Sequence, residues 1–229
     1  MENQDLTPIL VAGASGLVGS ALVRQLLDAP AGPTVVSVAR RPLGHPGPRL
    51  TEVVADFARL AEATVPSART AFCALGTTMA KAGSEAAFRA VDLDAVAAFA
   101  RLARRAGARR FLLVSELGAD PASRVFYNRV KGEAEEAVKG LGFDGVALFR
   151  PSLLLGDRAE SRPAERAAIV ASGLLSWAMA GPLARWKPVP ADAVAAAMLA
   201  VAGGPMEGVR VVENDEIHRI GSGPRASVE

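Results

Sequence analysis

Tyr127 is the only tyrosine in the chain, and Lys131 follows four residues later. On a helix that interval puts both side chains on one face. Ser115 falls at the end of a predicted strand, the edge where ligands of open α/β sheets gather. These three residue types together can reduce a carbonyl. Lys131 would lower the tyrosine pKa from its reference of about 10 and bind a nicotinamide ribose. Tyr127 would protonate the incipient alkoxide, and Ser115 would hold the carbonyl oxygen by a hydrogen bond. Spacing alone leaves a second reading open, in which Tyr127 and Lys131 are an ordinary surface pair on a helix.

A reaction of that kind needs a hydride carrier. The segment VAGASGLVGS, Val11 to Ser20, places glycines at 13, 16 and 19 between a predicted strand and a predicted helix. Gly13 allows the tight turn, Gly16 lets a pyrophosphate approach the backbone, and Gly19 permits close helix–sheet packing. The helix N-terminus then offers free N–H groups and a positive dipole end. An acidic residue at the end of the second strand would hold a ribose 2′-hydroxyl. The chain has Val38-Ala39-Arg40-Arg41 there instead. Neither arginine accepts a hydrogen bond, and both can neutralise a 2′-phosphate. The expected cofactor is therefore NADP(H). Asp56 has two open readings, an acceptor for the adenine amino group or a helix cap.

The elements that must carry these residues alternate strand and helix, which predicts a parallel sheet covered on both faces. Strands are expected at Ile9–Ala12, Thr34–Ala39, Leu50–Ala55, Thr70–Leu75, Arg110–Ser115 and Val146–Phe149, with a short one near Val209–Val212. Helices are expected at Gly16–Leu27, Glu85–Ala106, Arg124–Lys139 and Ala191–Val201. In the second helix Phe88, Val91, Ala95, Phe99 and Leu102 form one apolar stripe. Arg101, Arg104 and Arg105 near its end suit the helix dipole, with Gly107 as cap. In the third, Val130, Ala134 and Val138 point inward, and Glu133, Glu135 and Glu136 outward. The fold class is α/β: residues 1–229 form a single doubly wound Rossmann-type domain with a small helix-rich C-terminal substrate segment, about 151–220. The residues from Gly221 to Glu229 read as a frayed end.

Composition narrows the function classes. Half the 229 residues are hydrophobic, and the 26 basic and 24 acidic residues nearly cancel. That balance argues against a nucleic-acid partner. Cys73 is the single cysteine, so no intramolecular disulfide forms, and a reducing cytoplasm fits. His45 and His218 are the only histidines and lack ligand spacing, so no metal site is expected. The N-terminus is polar and acidic, unlike a signal peptide. Ala167 to Ala184 carries no charge, but its Ser172, Gly173, Ser176, Gly181, Pro182 and many alanines fit a buried or interfacial helix better than a membrane span. The apolar stretches near Leu174 and Val194 suit either a homodimer contact or core.

At this point the chain resembles the atypical short-chain dehydrogenase/reductases, in the branch that includes the Tat-interacting protein oxidoreductases. Bacterial members of that branch are often labelled NAD(P)-binding nucleoside-diphosphate-sugar epimerases. The resemblance runs from about Pro8 to Ile220. Beyond the glycine turn it rests on CALGTT from Cys73, KAGSEAAF from Lys81, YNRVKGE from Tyr127, FRPSLLLGDRAESRP from Phe149 and ENDEIH from Glu213. It implies catalytic roles for Ser115, Tyr127 and Lys131. It also implies a cofactor contact set of Gly13, Ser15, Gly16, Leu17, Val18, Gly19, Arg40, Arg41, Asp56, Phe57, Leu75, Gly76, Thr77, Tyr127 and Lys131. Arg150-Pro151-Ser152-Leu153 would close over the nicotinamide, with Pro151, Ser152 and Leu153 in contact with the cofactor. Independently, that loop leaves a strand at the carboxyl edge, where Pro151 fixes its direction.

One departure stands out. Relatives carry two consecutive serines where this chain has Ser115-Glu116. A glutamate beside a reacting carbonyl repels the developing oxyanion. The expected function is an NADPH-dependent reductase of a small carbonyl, quinone or similar compound. A non-enzymatic NADPH-binding module that senses redox state or docks to a partner is the alternative. Sugar-nucleotide epimerisation is weaker, because only about 80 residues follow Phe149. Arg158, Arg162 and Arg166 can grip an anionic substrate or line a solvated face equally well.

Overall fold

The structure, a computed structural model, describes residues 7–44, 47–156 and 185–222. Short runs of Val, Ile, Leu and Phe, apolar on both faces, build the central strands of a parallel sheet whose two edge strands are more polar and partly exposed. These are β1 (Ile9–Ala12), β2 (Val35–Ala39), β3 (Leu50–Val54), β4 (Thr70–Cys73), β5 (Arg110–Val114), β6 (Gly145–Arg150) and β9 (Gly208–Glu213). Their order is β3-β2-β1-β4-β5-β6-β9, every neighbour parallel. Strands β7 (Leu154–Leu155) and β8 (Val189–Pro190) pair separately.

Alternation along β1 sends Val11 to one face and Leu10 and Ala12 to the other. The first face is covered by α1 (Leu17–Asp28), α6 (Ala191–Gly203) and α7 (Asn214–Gly221), through Leu22, Val194, Met198 and Ile217. The second is covered by the 3₁₀ turn Phe57–Glu62, α4 (Val96–Arg105) and α5 (Phe126–Lys139), through Leu60, Phe99, Leu102 and Val138. Phe72, Phe99, Phe111 and Phe149 are fully buried, and each such side chain contributes roughly 1.5–3 kcal/mol. Helices on both faces of a parallel sheet in this order make a doubly wound Rossmann-type fold.

The expected strands and helices are present with ends shifted by one or two residues. The helix expected over Glu85–Ala106 is α3 (Glu85–Arg89), a π-helical turn (Ala90–Ala95) and α4 in succession. Short α2 (Met79–Ala82), the 3₁₀ turn, β7, β8 and α7 were not expected. One face assignment is corrected. Glu135 on α5 is not outward but 1% exposed, because Arg150 arrives from β6 to neutralise it. His45, Arg158, Arg162, Arg166, the stretch from Ala167 to Ala184 with Leu174, and the tail after Ser222 lie outside the described residues. Among the described residues no helix is long and apolar enough to cross a membrane.

Candidate functional site

The strand order reverses between β1 and β4, and the loops leaving these two strands open a cleft there. Gly13 leaves β1 at φ +83°, and a Cβ on it would stand 2.4 Å from the carbonyl carbon of Ala74. A Cβ on Gly19 would stand 2.0 Å from the Gly13 oxygen. Backbone therefore packs on backbone at both positions, and only glycine fits. Gly16 donates its N–H to the Gly13 oxygen at 2.9 Å and forms the N-cap of α1, without a side-chain cap or an acidic residue in the first turn. The first-turn N–H groups and the positive dipole end face the cleft, which suits an anion.

The cleft holds a cavity of about 910 Å³, lined among others by Gly13, Ser15, Gly16, Val38, Arg40, Arg41, Phe57, Leu75 and Gly76. Such a volume is of the size that small molecules and cofactors fill. Arg40 and Arg41 follow β2 directly and are exposed. Val18 buries its side chain in the core and can offer a cofactor only its backbone N–H, while Leu17 is half-buried and packs against Gly156. Asp56 acts as a cap: its Oδ1 accepts from the Ala58 N–H at 3.0 Å. Thr77 donates its N–H to Asp92 Oδ2 at 2.9 Å.

Gly76 is where the cleft meets Asp92 and the lysine. A Cβ on it would lie 3.3 Å from Asp92 Oδ1 and 3.4 Å from Lys131 Nζ. Asp92 sits on the π-helical turn, and its Oδ1 is 2.6 Å from Lys131 Nζ, with both side chains buried. π-turns inside α-helices often mark functional sites, and this one presents a carboxylate from an otherwise apolar stripe. Gly132, next to the lysine, lets α5 lie directly on the preceding loop, since a Cβ there would come within 2.2 Å of the Pro121 nitrogen. That contact fixes the helix carrying Tyr127 and Lys131.

Tyr127 packs on Phe88, ring centroids 5.0 Å apart, and donates its hydroxyl to Glu116 Oε2 at 3.2 Å. Burial first, then the charges of Glu116 and Asp92, push the Tyr127 pKa upward. The expectation that Lys131 lowers it is thus corrected: Lys131 spends its charge on Asp92 and stands 6.0 Å from the Tyr127 ring centroid. Burial pushes the Glu116 carboxyl up to about 6, against the favourable charge of Lys131 and the Tyr127 hydrogen bond.

Ser115 is not turned to Tyr127. Its hydroxyl donates to Glu135 Oε1 at 2.6 Å. Arg150 grips the same carboxylate through Nε at 3.0 Å and Nη2 at 2.6 Å, a bidentate pair. The structure therefore brings Tyr127, Lys131, Asp92 and Glu116 together and gives Ser115 to a separate buried network. The loop after β6 is held on two sides. Pro151 O accepts from the Leu117 N–H at 3.0 Å. Ser152 N–H donates to Asn214 Oδ1 at 3.0 Å, and Ser152 Oγ to Lys187 O at 2.6 Å. Leu153 at its tip is 62% exposed. Asn214, fully buried, also donates to Lys187 O at 2.8 Å. Asp92, Glu135 and Asn214 were missed as site residues. The usable signal was a polar side chain inside a buried run, which must find a partner.

Residues 13–172 match the model of a family described as NAD(P)H-binding. This chain belongs to that family. Protein HTATIP2 of Rattus norvegicus is 37% identical over 222 residues, covering 93% of this chain and 88% of the relative. Protein FMP52, mitochondrial, of Coccidioides immitis is 33% identical over 233 residues, 92% of this chain and 95% of the relative. A human epimerase family protein, SDR39U1, solved with NADPH, shares the fold of this NAD(P)H-binding protein at TM-score 0.61 and 18% identity, over 89% of this chain and 73% of that one. The residues present fit such a cofactor: a glycine cradle that side chains would fill, a helix N-terminus, and a cavity of adequate size whose wall at Gly76 abuts Lys131.

Proposed function

We propose that this protein is an NADP(H)-dependent oxidoreductase of the atypical short-chain dehydrogenase/reductase type, acting on a small carbonyl, quinone or similar compound. The observation that carries the reading is Gly76, a wall of the nucleotide cavity that abuts the Lys131–Asp92 pair. Gly16 and Gly76 line the same cavity, so a dinucleotide bound there would bring its nicotinamide half towards the Lys131–Asp92 pair. When bound, NADPH supplies a hydride. The α1 N-terminus holds the pyrophosphate, Arg40 and Arg41 neutralise the 2′-phosphate, and Lys131 binds the nicotinamide ribose. Tyr127, kept protonated by burial and by its negative neighbours, holds a proton at its oxygen for the substrate.

The test is NADPH consumption across aldehydes, ketones, quinones and imines, with Tyr127→Phe in parallel. Turnover of aldehydes, ketones or quinones that falls by about a hundredfold or more in the variant is expected of a general acid. Equal turnover in both proteins would remove Tyr127 from the chemistry. A second reading is favoured by one arrangement: the hydroxyl protons of Ser115 and Tyr127 are both given to glutamates. A protein that binds NADPH to sense redox state or dock a partner would show tight binding and no turnover with any substrate.

A further inference from the structure

We propose that the group reduced beside Tyr127 is a protonated imine, its N–H held by hydrogen-bond acceptance at Glu116 and Tyr127. The proposal rests on the oxidoreductase reading above and narrows its substrate class.

Hydrogen-bond polarity is the first argument. A carbonyl undergoing hydride addition needs donors at its oxygen, because negative charge collects there. The two hydroxyls at the carboxyl edge that would serve are both committed. Ser115 donates to Glu135 at 2.6 Å, and Glu135 is locked in place by Arg150. Tyr127 donates to Glu116 Oε2 at 3.2 Å. What the pair still presents is acceptors, the second carboxylate oxygen of Glu116 and the lone pairs of the tyrosine oxygen. A substrate that fits acceptors carries an N–H.

Charge is the second argument. Glu116 accepts from Tyr127 of α5 and feels the charges of Lys131 on the same helix and Asp92 on the π-helical turn. Lys131 pairs with Asp92 at 2.6 Å and also favours the Glu116 carboxylate, so one cation faces two carboxylates and the cluster keeps one net negative charge when Glu116 is ionised. An alkoxide forming there meets a like charge. A protonated imine brings the missing positive charge. The carboxylate also favours the protonated imine over the neutral one, and the protonated form is the one that accepts hydride.

The step balances. The imine carbon accepts a hydride, with its electron pair, from reduced nicotinamide, and a C–H bond forms. The C=N π pair becomes the nitrogen lone pair, giving a neutral amine and oxidised cofactor. No proton moves in that step: Tyr127, which would protonate a carbonyl substrate, acts towards an iminium only as an acceptor, and the amine is protonated afterwards by solvent.

The experiment uses the full chain with NADPH near neutral pH and compares a methyl-pyrroline with the matched methyl-cyclopentanone. The expected result is kcat/KM for the imine about tenfold or more above the ketone. Glu116→Gln, which keeps shape and removes charge, should lower imine kcat/KM by roughly tenfold or more while leaving the NADPH Kd unchanged. Independently of turnover, calorimetry with pyrrolidinium should show binding to the wild type that weakens about tenfold in Glu116→Gln. Equal or faster turnover of the ketone, or an unchanged Glu116→Gln, overturns the proposal. Ketone turnover that is lost in Tyr127→Phe, without imine turnover, sinks the imine and keeps the oxidoreductase. NADPH binding with neither substrate turned over sinks both.

Discussion

Replacing Asp92 by asparagine removes one charge from an ion pair that has almost no access to water. Asp92 is fully buried, Lys131 is 8% exposed, and the two charged groups are 2.6 Å apart. Asparagine can still accept the Thr77 N–H through its amide oxygen, so the 2.9 Å bond survives, while its NH2 turns a donor towards Lys131 and both the charge and the acceptor of the ion pair are lost. Leaving one member of a buried pair uncompensated costs about 3–5 kcal/mol. With the Thr77 bond kept, the lower end, about 3 kcal/mol, is expected. Asp92→Ala also orphans the Thr77 N–H, adding about 1–2 kcal/mol. Lys131→Met removes the opposite charge. The double variant Asp92→Asn, Lys131→Met should recover most of the loss, because no buried charge is then left unpaired. Urea denaturation of the four proteins gives the coupling directly. Single variants within about 1 kcal/mol of wild type, or a double variant that is merely additive, would show that the pair does not hold the π-helical turn to α5.

Gly19→Ala should fail to give folded, nucleotide-binding protein, since the new Cβ meets the Gly13 carbonyl oxygen at 2.0 Å and backbone cannot yield. Soluble yield and an NADPH fluorescence titration check it, and normal binding would refute the close-packed turn. Glu116→Gln should make the protein more stable at neutral pH. The folded-state carboxyl is raised from 4.5 to about 6, so the folded protein holds that proton more tightly than the unfolded chain. Stability therefore falls as pH rises from about 4.5 through 6 and stays lower above, by about 1–2 kcal/mol. The glutamine variant should gain that amount at pH about 7.5 and nothing at pH about 4. Thermal melts at the two pH values read the difference, and an equal gain at both would mean that ionisation of Glu116 is not the cause.

The strands were legible because apolar runs bounded by Gly and Pro carry the signal locally, and the glycine turn because its spacing is itself a backbone constraint. What the sequence hid is set by partners distant along the chain. Glu135 looks like one of three solvent-facing glutamates until Arg150 arrives from β6. Asp92 lies in an apolar helical stripe whose regular periodicity gives no warning that a π-turn displaces it towards Lys131. Asn214 gains its three-way role only when the loop at Ser152 and the segment at Lys187 converge on it. Tyr127 and Lys131 were found by spacing, but the direction of the tyrosine shift was not, because it depends first on tertiary burial and then on Glu116 and Asp92 acting from two other elements. The two-residue strands β7 and β8 are too short for any periodicity to show.

The central claim is that the cleft between β1 and β4 binds NADP(H) and reads its 2′-phosphate through Arg40 and Arg41. Isothermal titration of the protein with NADPH and with NADH, repeated on the Arg40→Ala, Arg41→Ala double variant, tests it most directly. The account predicts NADPH tighter than NADH by about tenfold or more in the wild type. It also predicts a loss of about 1.5–3 kcal/mol for NADPH alone in the variant. Equal affinity for the two nucleotides, or a variant that binds NADPH as the wild type does, would contradict it.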